Sequence, residues 1–281
     1  MMLDTRHSEK SIGLWVSNSW TYGPGDKDMK AWWMTFCILT VFICVLGSAY
    51  GDEIIYSQNF DNLKDGDLDG QDGWKKITPD MGAGIISPTI QSKVALKGKA
   101  VQIEAFQEAY ITYPKPVKAG ICYLSIFFRK EDKLTTNTIH IYMGQGALAW
   151  SAGTVIRIGN DSGGQPDDIG IHDGSDAVRV QPAKFVVGKW HHVREVMDVD
   201  KRTFDVYLDG KKLGNYTFRN AAHQFIEWLM IGFDTGVGLL GYYDAVEFGT
   251  GAGEGAYNRA ASVEQAGKLS TAWGELKIRN H

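Results

Sequence analysis

The sequence holds only three cysteines and seven prolines in 281 residues. Cys37 and Cys44 share one apolar run, which leaves Cys122 alone in the rest of the chain and excludes an intramolecular disulfide there. Cys122 alternates with Leu124 and Ile126, the pattern of a small core residue rather than a reactive thiol. There is no block of Lys or Arg, and the net charge is −4. That excludes the basic footprint of a nucleic-acid binder and a polybasic membrane-surface segment. Long helical stripes of apolar residues are missing too.

The one long apolar run, WWMTFCILTVFICVL at 32–46, carries no charge. Lys27 and Lys30 precede it and Gly47-Ser48-Ala49 follows. A positive flank, an apolar stretch and a small-residue exit predict a secretory signal peptide cut after Ala49. Extended to Tyr50 the run reaches 19 residues, so an uncleaved anchor is the alternative and the one expected route to a membrane. Either way the chain from residue 50 onward is expected outside the cytoplasm. Met29-Lys30 makes an ordinary start for such a segment. The expected organisation is leader and extension over 1–49, one domain over 50–249, and a Gly-rich linker with a tail over 250–281.

What the mature part has in quantity is glycine and short apolar runs. Ten runs read as strands: EIIYSQNF, AVQIEAF, AYITYP, GICYLSIFFRK, NTIHIYMG, TVIRIGN, WHHVREVMDV, TFDVYLDG, FIEWLMIGF and GYYDAVEFG. In NTIHIYMG, Ile139, Ile141 and Met143 share one face, and His140 and Tyr142 the other. ICYLSIFF is apolar on both faces, as a central strand is. The fold class this predicts is all-β, a two-sheet antiparallel sandwich. Asp209-Gly210 closes a tight hairpin turn.

The stretch GKWHHVREVMDVDKRTFDVYLDGKKL resembles the central hairpin of laminin G-like and concanavalin A-like jelly rolls. FDNLKDGDLDGQDGW resembles the opening of secreted bacterial members, and GYYDAVEF their closing strand. The resemblance covers residues 53–249 and implies a jelly roll. It does not fix a function, because lectins, adhesins, hydrolases and lyases share this fold.

Two metal readings arise. Asp65-x-Asp67-x-Asp69-Gly70 imitates an EF-hand loop, but its twelfth position is Lys76 rather than a bidentate Glu. The resemblance implies instead one structural Ca²⁺ where first and last strands meet, at Asp61 and Asp244. Catalytic carboxylates are poorly placed: Glu195 and Asp198 have opposite strand parity. Glu195 shares its face with Val193 and Met197, which predicts burial with a partner, as a salt bridge or as a perturbed acid. His191 and His192 point to opposite faces and cannot easily share an ion. Trp190 is expected in the core.

The polar faces of the central strands are the candidate binding surface. Tyr123, Phe127 and Arg129 alternate on one strand, His140 and Tyr142 on the next, and Arg157 on another. Aromatic faces with Arg and His donors suit sugar rings and their hydroxyls. The expected function is a non-catalytic exported module binding extracellular or cell-surface glycans. The alternatives are a polysaccharide-cleaving hydrolase or lyase of the same fold, and a surface protein-interaction module. A His/Tyr pair in one groove favours the enzyme.

Overall fold

Alternation of apolar and polar side chains drives the described chain into sixteen strands. The structure, a computed structural model, describes residues 52–77, 86–104, 106–131, 138–146, 148, 152–159, 165–175, 179–233 and 240–255. The leader expected over 1–49, with its cleavage point, and the tail from 256 lie outside these residues.

One sheet has nine strands: β1 (Glu53–Gln58), β2 (Gly66–Asp67), β4 (Thr89–Gln91), β5 (Ala100–Glu104), β7 (Ile121–Lys130), β12 (His191–Asp198), β13 (Thr203–Leu208), β14 (Lys211–Thr217) and β16 (Leu240–Thr250). Their order is β14-β13-β12-β7-β16-β5-β4-β2, with β1 also paired to β16. The other has seven: β3 (Lys75–Lys76), β6 (Glu108–Val117), β8 (Thr138–Gly144), β9 (Thr154–Gly159), β10 (Asp168–His172), β11 (Arg179–Lys184) and β15 (Ile226–Phe233). They run β11-β10-β9-β8-β15-β6-β3. All named pairings are antiparallel and neighbours in space are mostly not neighbours in sequence, the topology of a jelly-roll sandwich.

The ten expected strands are all present. The added ones are short or carry breakers: β11 contains Pro182 and β14 contains Gly214. Leu124, Ile126 and Phe128 of the nine-stranded sheet meet Ile139, Ile141, Met143, Leu229 and Ile231 of the seven-stranded one in a single core. Cys122 lies in it, free and fully buried. The β12–β13 hairpin pairs Val193 with Leu208 and Met197 with Phe204. At its far side Asp209 and Gly210 both have positive φ, 50° and 80°, as a two-residue turn into β14 requires. Trp190 is half-buried and packs against Tyr242 on the outside of the sheet, 6.5 Å between rings. The expectation of a core residue is corrected there, because Trp190 precedes the strand and has outward parity.

Candidate functional site

Strand parity assigns each expected binding residue to an outer face, but the six do not share one. Tyr123, Phe127 and Arg129 lie on β7, in the nine-stranded sheet. His140 and Tyr142 on β8 and Arg157 on β9 lie in the seven-stranded sheet. Their outer faces are opposite sides of the sandwich, so the single surface expected from the sequence is corrected to two. Parity reads the face within a strand. It does not reveal that the chain changes sheet between β7 and β8.

The β7 set is occupied by the protein itself. The Tyr123 hydroxyl donates to Glu247 Oε1 at 2.7 Å. A Cβ at Gly253 would come within 2.3 Å of the Tyr123 ring, so the segment after β16 lies on it. Phe127 is buried against the His192 ring, 4.8 Å away. His192 Nε2 is 2.7 Å from Ser125 Oγ; burial first, with Arg194 adding, lowers the imidazole to about 4 against the pull of Asp209. Ser125 is itself buried, which denies this Ser–His pair a substrate. Arg129 pairs with Glu131 at 2.5 Å and remains half-exposed. His191 points inward to Phe128 and Phe185 and bonds Asp209 Oδ2 at 2.7 Å through Nδ1. The two histidines thus diverge, as adjacent strand residues must.

The outer face of the seven-stranded sheet is different. Away from the main core it holds a second apolar cluster of Tyr142, Ala152, Val155, Trp228 and Met230, with Tyr110, Ile77 and Leu148 against it. Beside this cluster runs a row set by strand register: Glu108, Gly232, His140, Arg157 and Gly170. Two glycines shape the surface. At Gly232 a Cβ would lie 2.6 Å from Glu108 Cγ, so its absence lets Glu108 cross the strand toward His140. At Gly144 a Cβ would lie 2.8 Å from Trp228 Cζ2, so the indole lies across the neighbouring strand.

His140 stacks on Tyr142 with ring centroids 4.2 Å apart and planes at 14°. The Arg157 guanidinium stands 5.9 Å from the Tyr142 ring. His140 Nε2 lies 3.5 Å from Glu108 Oε1, too long for a good hydrogen bond, and neither ring nitrogen has a hydrogen-bond partner. Burial, and then the Arg157 charge, lower His140 to about 3, so the ring is neutral and the contact is not an ion pair. The Trp228 indole N–H is buried and unbonded as well. Glu108 and Trp228 went unnoticed in the sequence. Glu108, Tyr110 and Thr112 share parity with each other, and that alternation was the available signal.

Glu195 is fully buried between the sheets, with neither oxygen in a well-formed hydrogen bond. Among the described residues it has no ion pair, which corrects the expected salt bridge; burial raises it to about 8, so it is a perturbed acid, but one enclosed in the core.

Asp61 and Asp244 come close together. Asp244 is almost fully buried; Oδ2 accepts from the amides of Leu96 (3.0 Å) and Lys97 (3.5 Å), and Oδ1 from Ala245 (2.7 Å). Asp61 Oδ1 accepts from the Lys99 amide at 2.9 Å, so residues 96–99 run between the two acids. Burial, against its three amide bonds and with the Asp61 charge adding, raises Asp244 to about 8. Among the described residues no Lys, Arg or His forms an ion pair with it. Ala245 follows with φ 48°, at a bulge of β16. No three His, Cys, Asp or Glu side chains among the described residues could hold a metal, so a cation at these two carboxyl groups would need an ionised Asp244 and carbonyl oxygens to complete its shell. The 65–76 loop is a turn: Asp65 pairs with Lys99, Asp69 Oδ1 accepts from the Lys76 amide, and Trp74 anchors it in the core.

No protein-family profile matches the sequence, and no curated protein matches it. Solved structures do. An endo-acting O-glycanase of the human gut microbiota superposes with a TM-score of 0.51 at 15% identity, over 70% of this chain and 99% of that one. The globular domain of T. cruzi calreticulin gives 0.53 at 11%, over 81% and 99%. A sialidase gives 0.46 at 16% over 66% of this chain; the match spans 17% of the sialidase. The first two likenesses establish the β-sandwich fold. None singles out the laminin G-like group within it.

Proposed function

We propose that the chain is an exported, non-catalytic module that binds extracellular or cell-surface glycans on the outer face of its seven-stranded sheet. One observation carries the reading: this face, turned away from the core, joins Tyr142, Trp228 and Met230 to Glu108, His140 and Arg157. Of these six side chains Arg157 alone is half-exposed and the other five are buried, so Arg157 is the group a ligand meets first. Aromatic rings take the CH faces of a sugar, and the polar row takes its hydroxyls or a carboxylate. That the fold also occurs in an O-glycanase supports the ligand class. Cleavage after Ala49 and a structural Ca²⁺ at Asp61 and Asp244 belong to the same proposal; the two acids would hold the ion with backbone carbonyls and tie the first strand to the last.

The test is a glycan panel with the full chain, comparing Arg157→Gln with Arg129→Gln. Binding is expected to weaken at least tenfold for the first and less than twofold for the second, with unchanged melting of both. The reverse pattern moves the site to the other sheet.

The stacked His140/Tyr142 pair favours a second reading, a polysaccharide-cleaving enzyme at this face. Their full burial weighs against it, because an acid or base must reach the proton it moves. Release of reducing or unsaturated ends that vanishes in His140→Gln would decide for the enzyme.

A further inference from the structure

Phe106 is an aromatic side chain that the backbone holds out toward solvent at a conformational cost. It stands in the β5–β6 connection with φ 62°, the left-handed region that bulky residues avoid, and is 43% exposed. The turn is clamped at both sides. The Gln107 side chain accepts from the Glu104 amide at 2.8 Å, and the Gln107 amide donates to the Glu104 carbonyl at 3.2 Å. Gln107 is buried, and Ile86 forms an isolated bridge with it. Ile86 is 61% exposed, so two of the large exposed apolar side chains of the described chain flank one buried glutamine. Phe106 also lies two residues before Glu108, where the row Glu108, His140, Arg157 begins.

Strain of this kind persists only where the surroundings enforce it, and it gathers at ligand clamps. A phenyl ring that served stability alone would be turned inward. We propose that Phe106, with Ile86 beside it, is a stacking platform for a sugar ring of a glycan whose polar groups meet Glu108 and Arg157. The inference rests on the glycan reading of this face and adds its apolar rim. An oligosaccharide fits the combination: the row crosses β6, β15, β8 and β9, which puts Arg157 about 14 Å from Glu108, so the ring stacked on Phe106 meets Glu108 and a further ring meets Arg157.

The experiment titrates the oligosaccharide retained by the wild-type chain into full-length Phe106→Ala, Phe106→Gly and Phe106→Trp, and melts each variant. Binding is expected to weaken at least tenfold for Ala and Gly and to stay within threefold of wild type for Trp. Melting should fall little, and the Gly variant should melt no lower than the Ala variant, because glycine alone accepts φ 62° without strain. A structural residue gives the opposite: a large drop in melting, least for the conservative change, with affinity of the folded fraction preserved. Ala and Gly variants that bind within twofold of wild type, while Arg157→Gln does not bind, overturn Phe106 and leave the glycan reading standing. A wild-type chain that retains no glycan overturns both. Phe106-dependent binding to anionic phospholipid vesicles, with no glycan retained, replaces the platform by a membrane contact.

Discussion

Glu195 places a carboxyl group inside the sandwich with no ion pair among the described residues and no well-formed hydrogen bond, Thr154 being only a weak partner. Thr154 faces it from β9, Tyr113 from β6 and Cys122 from β7, and none of them is a base. Burial raises it to about 8, with Thr154 offsetting part, so the group is protonated in the folded chain at neutral pH. Between about 4.5 and 8 the folded state holds a proton that the unfolded state has released. Stability from this group is therefore full below 4.5 and is lost as pH rises through 8. Asp244, also raised to about 8, acts in the same direction. His140 and His192, lowered by burial to about 3 and 4, act in the other: their contribution is full above 6.5 and is lost as pH falls through those values. The window from pH 6.5 to 8 isolates the acids. There the chain is expected to lose stability with rising pH, and Glu195→Gln should remove about 1.4 kcal/mol per pH unit of that slope. Chemical denaturation at several pH values measures it; an unchanged slope in the variant contradicts the buried, protonated state.

Among the elements, the β12–β13–β14 meander shows how local chemistry sets register. Asp209 Oδ1 accepts from the His192 amide at 2.9 Å and Oδ2 meets His191 Nδ1, so one turn residue fixes the strand opposite. Gly210 has φ 80° and open space around a would-be Cβ. Gly210→Ala should cost about 1 kcal/mol from backbone strain alone. Asp209→Ala should cost about 2 kcal/mol, because it also leaves His191 and the His192 amide without their acceptor. Equal losses, measured by denaturant midpoints, would show that the carboxylate contributes nothing. This hairpin was legible in the sequence, since Asp-Gly between alternating strands states its own geometry. β10 and β11 were not: DIGIH is five residues among Gly and Asp, and β11 carries a proline. The candidate face was half legible. Parity placed His140, Tyr142 and Arg157 outward, but pairing of β8 with β15, and of β15 with β6, brought in Trp228 and Glu108 from 88 residues after His140 and 32 before it. Nothing local in either segment announces such a partner.

At the scale of the whole molecule, β16 is the seam. It pairs with β1, β5 and β7, so the last strand joins both halves of the nine-stranded sheet to the first strand. Asp61 follows β1 and Asp244 lies in β16, which puts the proposed cation where the described chain closes on itself. Millimolar Ca²⁺ should raise the melting midpoint relative to chelator. A concentration a hundredfold above Kd adds about 2.7 kcal/mol if only the folded state binds. The gain should be larger at pH 8 than at pH 6, because the ion requires the ionised Asp244. A gain that survives Asp244→Ala would place the ion elsewhere, and equal midpoints with and without Ca²⁺ would remove it.

The central claim is that the ligand face is the outer surface of the seven-stranded sheet. Backbone and side-chain NMR of the isotopically labelled chain, titrated with a retained oligosaccharide, tests it most directly. The account predicts shifts concentrated on β8, β9 and β15, at Tyr142, Arg157 and the Trp228 indole N–H, with Tyr123 and Arg129 on β7 unmoved. Shifts confined to β7 and its neighbours, with the Trp228 indole unchanged, would contradict it.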